Sequence, residues 1–134
     1  MLNTNLYYNN NATEVEPVME DPCGQLTWLE AQLNETLATD TDHAYIAAHV
    51  PPGAFERNPA TSNFFTSPRS FVRSIEKRFV ELVSRPRFAA RVHAHFYGHV
   101  HTDSFRLFLD RGTRQEARGV AFLGVSGTPL LYDK

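Results

Sequence analysis

The sequence contains 134 residues, about the length of one small domain, of which 42% are apolar and 21% charged, with a formal net charge of −2. This near balance excludes a polybasic nucleic-acid-binding arm and an acidic disordered tail, because both need a strong excess of one sign. No apolar run approaches the roughly 20 residues that span a bilayer, and the first residues lack the basic and apolar regions of a signal peptide.

The first third of the chain predicts a strand followed by a helix. Residues 2–8 are typical of a short strand, and the run Asn9-Asn10-Asn11 favours a turn after it. A helix is predicted from Pro22, because Asp21 and Pro22 suit the N-cap and the first helical position. An apolar stripe at helical spacing should lie on a sheet. Its residues are Leu26, Leu29, Leu33 and Leu37, with Trp28 beside it.

A compact apolar run predicts the next strand. It covers residues 44–50 and is ended by Pro51-Pro52-Gly53, which cannot continue a hydrogen-bonded ladder. His49 is therefore expected at the end of a strand. Residues 53–66 are rich in Asn, Pro, Thr and Ser and predict a loop.

A second amphipathic helix is predicted from Ser67-Pro68 to the residue before Pro86. Its apolar face carries Phe71, Ile75, Phe79 and Leu82. The opposite face carries Arg69, Arg73 and Lys77, which form either a solvated helix face, the favoured interpretation, or a patch for phosphate or lipid.

The last third predicts three strands. Residues 91–97 are strand-like, residues 105–109 alternate in polarity before the turn Asp110-Arg111-Gly112, and residues 119–126 supply a partner strand. Alternation of strands and helices predicts an α/β layer that ends in an antiparallel hairpin.

Four of the six histidines lie within nine residues, so histidine would supply most ligands of any metal site. By alternation, His93, His95 and Tyr97 should share one face of a strand, and Gly98 should place His99 and His101 on the loop beyond it. Ligands collect at the carboxyl ends of strands in α/β sheets. His49, His99 and His101 are therefore candidate ligands of a borderline metal such as zinc, and the alternative is that they are ordinary surface histidines.

Two motifs carry a resemblance to a known family. One is Ala48-His49-Val50-Pro51-Pro52-Gly53, and the other runs from Phe96 to Phe105 and contains Gly98-His99-Val100-His101. Together they resemble the second half of a calcineurin-like metallophosphoesterase domain, and more narrowly the acid sphingomyelinase and acid sphingomyelinase-like phosphodiesterase group. Supporting similarity lies in residues 2–8, 25–29, 120–123 and 126–129.

The resemblance implies that residues 1–134 are half of an α/β/β/α sandwich with a mixed sheet. It implies two divalent metal ions, usually Zn²⁺, with His49 and His99 on one metal and His101 on the other. It also implies hydrolysis of a small-molecule or lipid phosphodiester, such as sphingomyelin or a nucleotide phosphoester, by a hydroxide bound to both metals. Asp103 would orient an imidazole, although a turn-forming role is equally compatible.

The sequence departs from this family by lacking the motifs of the first half. It has no Asp-x-His motif, no metal-bridging Asp and no Gly-Asn-His motif. The catalytic residues are therefore expected outside this chain, which should be a fragment that is inactive alone and leaves one sheet face uncovered. The alternatives are a catalytically inert half-domain for metal binding or interaction, and a mononuclear histidine site.

Weaker signals concern localisation and single residues. Asn11 and Asn34 begin glycosylation sequons, which fit a secreted or lysosomal protein as the resemblance implies. The single cysteine, Cys23, excludes an internal disulfide framework, and a buried free thiol is favoured over a nucleophile. His43, His93 and His95 are interpreted as structural.

Overall fold

The structure is a computed structural model that describes residues 1–8, 21–39, 41–53, 71–100, 103–109 and 117–124. Helices α1 (Gln25–Thr36), α2 (Arg73–Val83) and α3 (Pro86–Ala89) accompany strands β1 (Ala44–Ala48), β2 (Val92–Tyr97), β3 (Ser104–Leu109) and β4 (Ala117–Leu123). Short 3₁₀ turns cover Thr4–Tyr7 and Pro22–Gly24. Outside the described residues lie most of the predicted loop 53–66, the start predicted for the second helix, the turn at 110–112, Asn11 and His101.

The four strands form one mixed sheet in the order β1-β2-β4-β3. β2 pairs in parallel with β1 and with β4, whereas β3 and β4 are antiparallel. The α/β class and the closing antiparallel pair are therefore confirmed.

One face of the sheet is covered by the helices. The predicted leucine stripe of α1 is buried, as are the apolar residues of α2. A single hydrophobic core joins them to inward-facing sheet residues, among them Ile46, Tyr97 and Phe108. Burial of these apolar side chains is the main force that holds the helical layer on the sheet.

Asp21 caps α1 from a distance. Its Oδ1 accepts a hydrogen bond from the Leu26 backbone N–H at 2.7 Å, and its Oδ2 accepts one from the Thr27 N–H at 3.0 Å. Desolvation acts to raise the pKa of Asp21, but these hydrogen bonds lower it below its ordinary value. Cys23 and Gly24, which lie between Asp21 and the helix, have positive φ angles of 57° and 64°. Because this backbone is not right-handed helical, the α-helix begins only at Gln25.

The predicted strand over residues 2–8 is wrong. Only Leu2 and Tyr8 form isolated bridges, with Ala48 and Phe71, and residues Thr4–Tyr7 form a 3₁₀ turn. The chain curls there because the Thr4 hydroxyl accepts a hydrogen bond from the Val50 N–H at 2.8 Å. The turn places the Thr4 hydroxyl beside the end of β1. If residues 2–8 continued as a strand, the Val50 N–H would lack this acceptor.

The second helix also begins later than predicted, at Arg73. Phe71 precedes it and bridges to Tyr8, and the Val72 N–H donates to the Tyr7 carbonyl at 2.9 Å. Residues 71 and 72 are therefore held in extended backbone by the N-terminal segment. The predicted end before Pro86 is confirmed.

His93 does not share a face with His95 and Tyr97, contrary to the prediction. Ala44 pairs with Val92 but Tyr45 pairs with Ala94, so β2 carries one extra residue at His93. Such a bulge shifts the alternation by one residue. His93 is exposed, whereas His95 and Tyr97 are buried on the helix-covered face.

The opposite face of the sheet is apolar and exposed in the part of the chain that the structure describes. Each of the four strands contributes to it, and the side chains are 47–65% exposed: Tyr45, Phe96, Phe122, Phe105 and Leu107. Neighbouring rings lie against each other, with centroids 5.9 Å apart for Tyr45 and Phe96 and for Phe96 and Phe122. This set, here called the open face, confirms the expectation of an uncovered sheet face.

Candidate metal centre

Two predicted ligands converge at the carboxyl ends of neighbouring parallel strands. His49 directly follows β1, and His99 follows β2 after Gly98. The Gly98 N–H donates to the His49 carbonyl at 3.1 Å, which ties the two strand ends together. The strand-end position predicted for His49 is therefore confirmed.

The imidazole rings of His49 and His99 are in contact. Their centroids lie 5.2 Å apart at an interplanar angle of 80°. His49 is exposed to solvent, and His99 is half-buried with its Nε2 atom enclosed. Two imidazoles at the same end of the sheet, one of them open to solvent, are nitrogen donors of the kind that zinc accepts.

His99 has an uncommon backbone conformation. Its φ of 67° lies in the left-handed region, which costs a residue with a Cβ roughly 1–2 kcal/mol. The Val100 N–H donates to the Gly98 carbonyl at 2.8 Å, so His99 stands at the tip of a tight turn. Strain of this kind is typical of residues whose side chain is positioned for function.

Three residues without a predicted role hold the backbone and rings around His49 and His99. Thr4 is fully buried and accepts the Val50 N–H, one residue beyond His49. Tyr8 packs edge-on against the His99 ring, with centroids 4.9 Å apart. The Arg106 guanidinium on β3 donates to the Pro52 carbonyl. Nothing in the spacing of these residues marks them, although residues 2–8 contribute to the family resemblance.

The remaining predicted site residues are only partly placed. Asp103 is exposed and directly precedes β3, so its role as an orienting residue stays a prediction. Asn34 is exposed on α1, as a glycosylation acceptor requires. Cys23 is exposed and free, which corrects the expectation of a buried thiol, because the turn before α1 directs it outward.

The described residues contain no group of three or more His, Cys, Asp or Glu side chains that could hold a metal ion. His49 and His99 offer two imidazole donors, and His101 lies outside the described ranges. These donors fit the histidine part of a zinc site, and their role as metal ligands stays a prediction.

His95 has the opposite environment from the strand-end histidines. It is 1% exposed, and its Nδ1 lies 3.4 Å from the Tyr97 hydroxyl. Burial lowers the pKa of His95 to about 4 and raises the pKa of the Tyr97 phenol. The neutral imidazole packs against the rings of Phe79 and Phe108, as expected for a structural histidine.

Comparison with known proteins yields relatives over most of the chain. It is 36% identical over 139 residues to a sphingomyelinase phosphodiesterase C of Dictyostelium discoideum, covering 97% of this chain and 27% of that protein. It is 36% identical over 111 residues to a mouse acid sphingomyelinase-like phosphodiesterase 3b, covering 82% and 22%. It is 32% identical over 110 residues to a human cyclic GMP-AMP phosphodiesterase, again covering 82% and 22%.

The chain thus spans about a quarter of the length of these relatives. No family model matches it. Among the helices that the structure describes, none is long and apolar enough to cross a membrane.

Proposed function

Because this chain belongs to the acid sphingomyelinase-like phosphodiesterases, we propose that it is the histidine-bearing segment of a metal-dependent phosphodiesterase. The observation that carries the proposal is the contact between His49 and His99 at the ends of β1 and β2. Both residues stand in the motifs on which the family resemblance rests. The activity belongs to a longer protein, in which other segments supply the bridging carboxylate and the proton donor for the leaving group.

His49 and His99 would hold one divalent ion and His101 a second, with Zn²⁺ favoured by imidazole ligands. When bound, such a pair of ions activates water and stabilises the charge that develops on the phosphoryl oxygens. The protein contributes the orientation of the rings. Hydrogen bonds that fix the histidine-bearing loops, such as Gly98 N–H to the His49 carbonyl, keep that orientation before substrate arrives.

The open face supports a sandwich for the complete domain. Sheets whose second face is as apolar as the first are typical of the interior of two packed layers. The described helices cover the other face, so a second sheet on the open face would complete the α/β/β/α order. Calcineurin-like architecture for the longer protein is part of this proposal.

The substrate class follows from the relatives. Their names assign sphingomyelin to one and cyclic GMP-AMP to another, both of which contain phosphodiester bonds. A lipid or nucleotide phosphodiester is therefore proposed for the longer protein. Its proposed location is secreted or lysosomal, which agrees with the exposed sequon at Asn34.

A chimera tests the proposal. The segment of the Dictyostelium relative that matches this chain is replaced by the chain itself, and hydrolysis of bis(p-nitrophenyl) phosphate and of sphingomyelin is measured. We expect turnover within tenfold of the relative, and a loss of at least a hundredfold on His49→Ala or His99→Ala. The matched control is His93→Ala, an exposed histidine on the same sheet, which should retain activity.

The second candidate function is a catalytically inert half-domain that binds metal or a partner. The exposed apolar side chains of the open face favour the binding of a partner, because they form a surface on which another protein could pack. The same chimera separates the two, because a folded chimera that binds zinc but hydrolyses neither phosphodiester supports the inert half-domain.

A further inference from the structure

A second pair of histidines lies at the opposite end of the strands from the candidate metal centre. His43 directly precedes β1, and His93 is the second residue of β2. The Ala44 N–H donates to the Arg91 carbonyl at 3.0 Å, which ties the starts of the two strands together. Six positions of extended backbone, at about 3.3 Å each, place His43 roughly 20 Å from His49. The two histidine pairs are therefore separate.

The imidazole rings of this second pair are in contact. Their centroids lie 4.0 Å apart at an interplanar angle of 40°. The bulge in β2 produces this contact, because it turns His93 out of the core while Val92 and His95 remain buried. The Tyr45 ring meets His93 edge-on, with centroids 6.0 Å apart, and limits the positions open to that imidazole.

Both rings are accessible to a ligand from solvent. His43 and His93 are exposed, and neither imidazole hydrogen-bonds to another residue within the described ranges. The charges nearby are of both signs. The Asp42 carboxylate accepts a hydrogen bond from the Thr39 N–H at 2.8 Å, and the Arg91 guanidinium donates to the Thr39 carbonyl. The affinity for a cation must therefore come from the imidazoles themselves.

Two imidazoles at this separation can hold one metal ion between them. Nitrogen atoms bound to a tetrahedral zinc ion at about 2.0–2.1 Å lie roughly 3.3 Å apart. Rings with centroids 4.0 Å apart bring their nitrogens into this range by small side-chain rotations, which exposed rings can make. Because the paired strand starts already fix the backbone of both residues, only the rings have to be ordered when the ion binds.

We propose that His43 and His93 form a two-histidine site for an exchangeable divalent metal ion that prefers nitrogen ligands, of which zinc is the typical example. Two protein ligands leave the other coordination positions to water, so the ion is held less tightly than in a closed site. The bound ion joins the starts of β1 and β2 and thereby stabilises the folded chain. This site does not depend on the proposed phosphodiesterase function.

Isothermal titration calorimetry of the chimera with ZnCl₂ tests the site. Purification in metal-free buffer removes the exchangeable ion, and we expect the titration to restore one ion per chimera. His43→Gln and His93→Gln should each weaken this binding at least tenfold. The double variant should weaken it no more than threefold further, because a chelating site is lost as a unit. The matched control is Glu35→Gln, which removes an exposed donor on α1 and should leave the affinity within twofold.

Four outcomes overturn the proposal. No ion binds beyond those retained on purification, or the single variants bind it as tightly as the parent, or their effects add in the double variant. The fourth is binding that makes two chimeras associate in sedimentation velocity, which would mean that the ion bridges two copies. Because binding is measured and not turnover, an inactive chimera that binds this ion would count against the proposed function and leave the two-histidine site supported.

Discussion

The imidazole rings of His49 and His99 meet edge to face with centroids 5.2 Å apart, although 50 positions separate them in the sequence. Parallel pairing of β1 and β2 brings their carboxyl ends together, and the hydrogen bond from Gly98 to the His49 carbonyl closes the gap. The turn with its left-handed His99 holds the second ring there. The contact between the two rings therefore depends on the backbone at the ends of β1 and β2. Substitution of residues that hold this backbone should disturb the contact.

Thr4→Val should destabilise the chimera by about 1–3 kcal/mol, because the buried Val50 N–H loses its acceptor while the side-chain volume is unchanged. Urea denaturation measures the difference. Thr41→Val, at an exposed position in the turn before β1, is the control and should stay within about 0.5 kcal/mol of the parent. Equal losses from both substitutions would mean that the Thr4 hydroxyl does not support the strand end.

Arg106→Leu should lower turnover of the chimera at least tenfold, since its guanidinium donates to Pro52 in the loop that begins at His49. The matched control is Arg91→Leu. Arg91 donates to the Thr39 carbonyl before β1, at the other end of the strands. Its replacement should reduce the melting temperature without a comparable loss of turnover. A similar fall in turnover for both variants would assign Arg106 a role in general stability only.

His95 predicts a pH-dependent loss of stability. Its pKa is lowered from 6.5 to about 4 in the folded protein by burial, so the unfolded chain binds the proton more readily between these values. The contribution of neutral His95 to the free energy of unfolding is fully present above pH 6.5 and is lost as the pH falls toward 4. The free energy of unfolding should therefore fall by about 2 kcal/mol between pH 7 and pH 5.

His95→Gln should remove most of this pH dependence, whereas His43→Gln, at an exposed position, should leave it intact. Denaturation midpoints of the chimera at pH 7 and pH 5 provide the measurement. An unchanged slope in His95→Gln would show that other groups cause the acid sensitivity.

The open face predicts self-association of the chain when it is isolated. Exposed apolar patches on this scale mark interaction surfaces. Replacing Phe105 and Leu107 together by Ser should lower the association constant at least tenfold in sedimentation velocity. Lys77→Ser on the exposed side of α2 should not change it. A parent chain that stays monomeric at 100 µM and melts sharply and reversibly would contradict the fragment interpretation.

Sequence patterns predicted most elements because their apolar periods are regular, as in the leucine stripe of α1 and the alternation of β3. They failed where long-range hydrogen bonds decide local structure. The Thr4 contact with Val50 replaces a strand by a turn, and pairing of Phe71 with Tyr8 delays α2. The bulge at His93 depends on the register with β1, which the sequence of β2 does not contain.

The sequence predicted only the part of the candidate site that local signals mark. Proline and glycine mark the strand ends, so His49 and His99 could be placed at them. The supports from Thr4, Tyr8 and Arg106 come from distant segments and carry no local signal.

The zinc content of the purified chimera tests whether His49, His99 and His101 are metal ligands. Two zinc ions are expected per parent chimera. One of them should be lost in each of the variants His49→Ala, His99→Ala and His101→Ala, and both should be retained in His93→Ala. Unchanged zinc content in the His49 and His99 variants, with the fold intact by circular dichroism, would contradict this assignment.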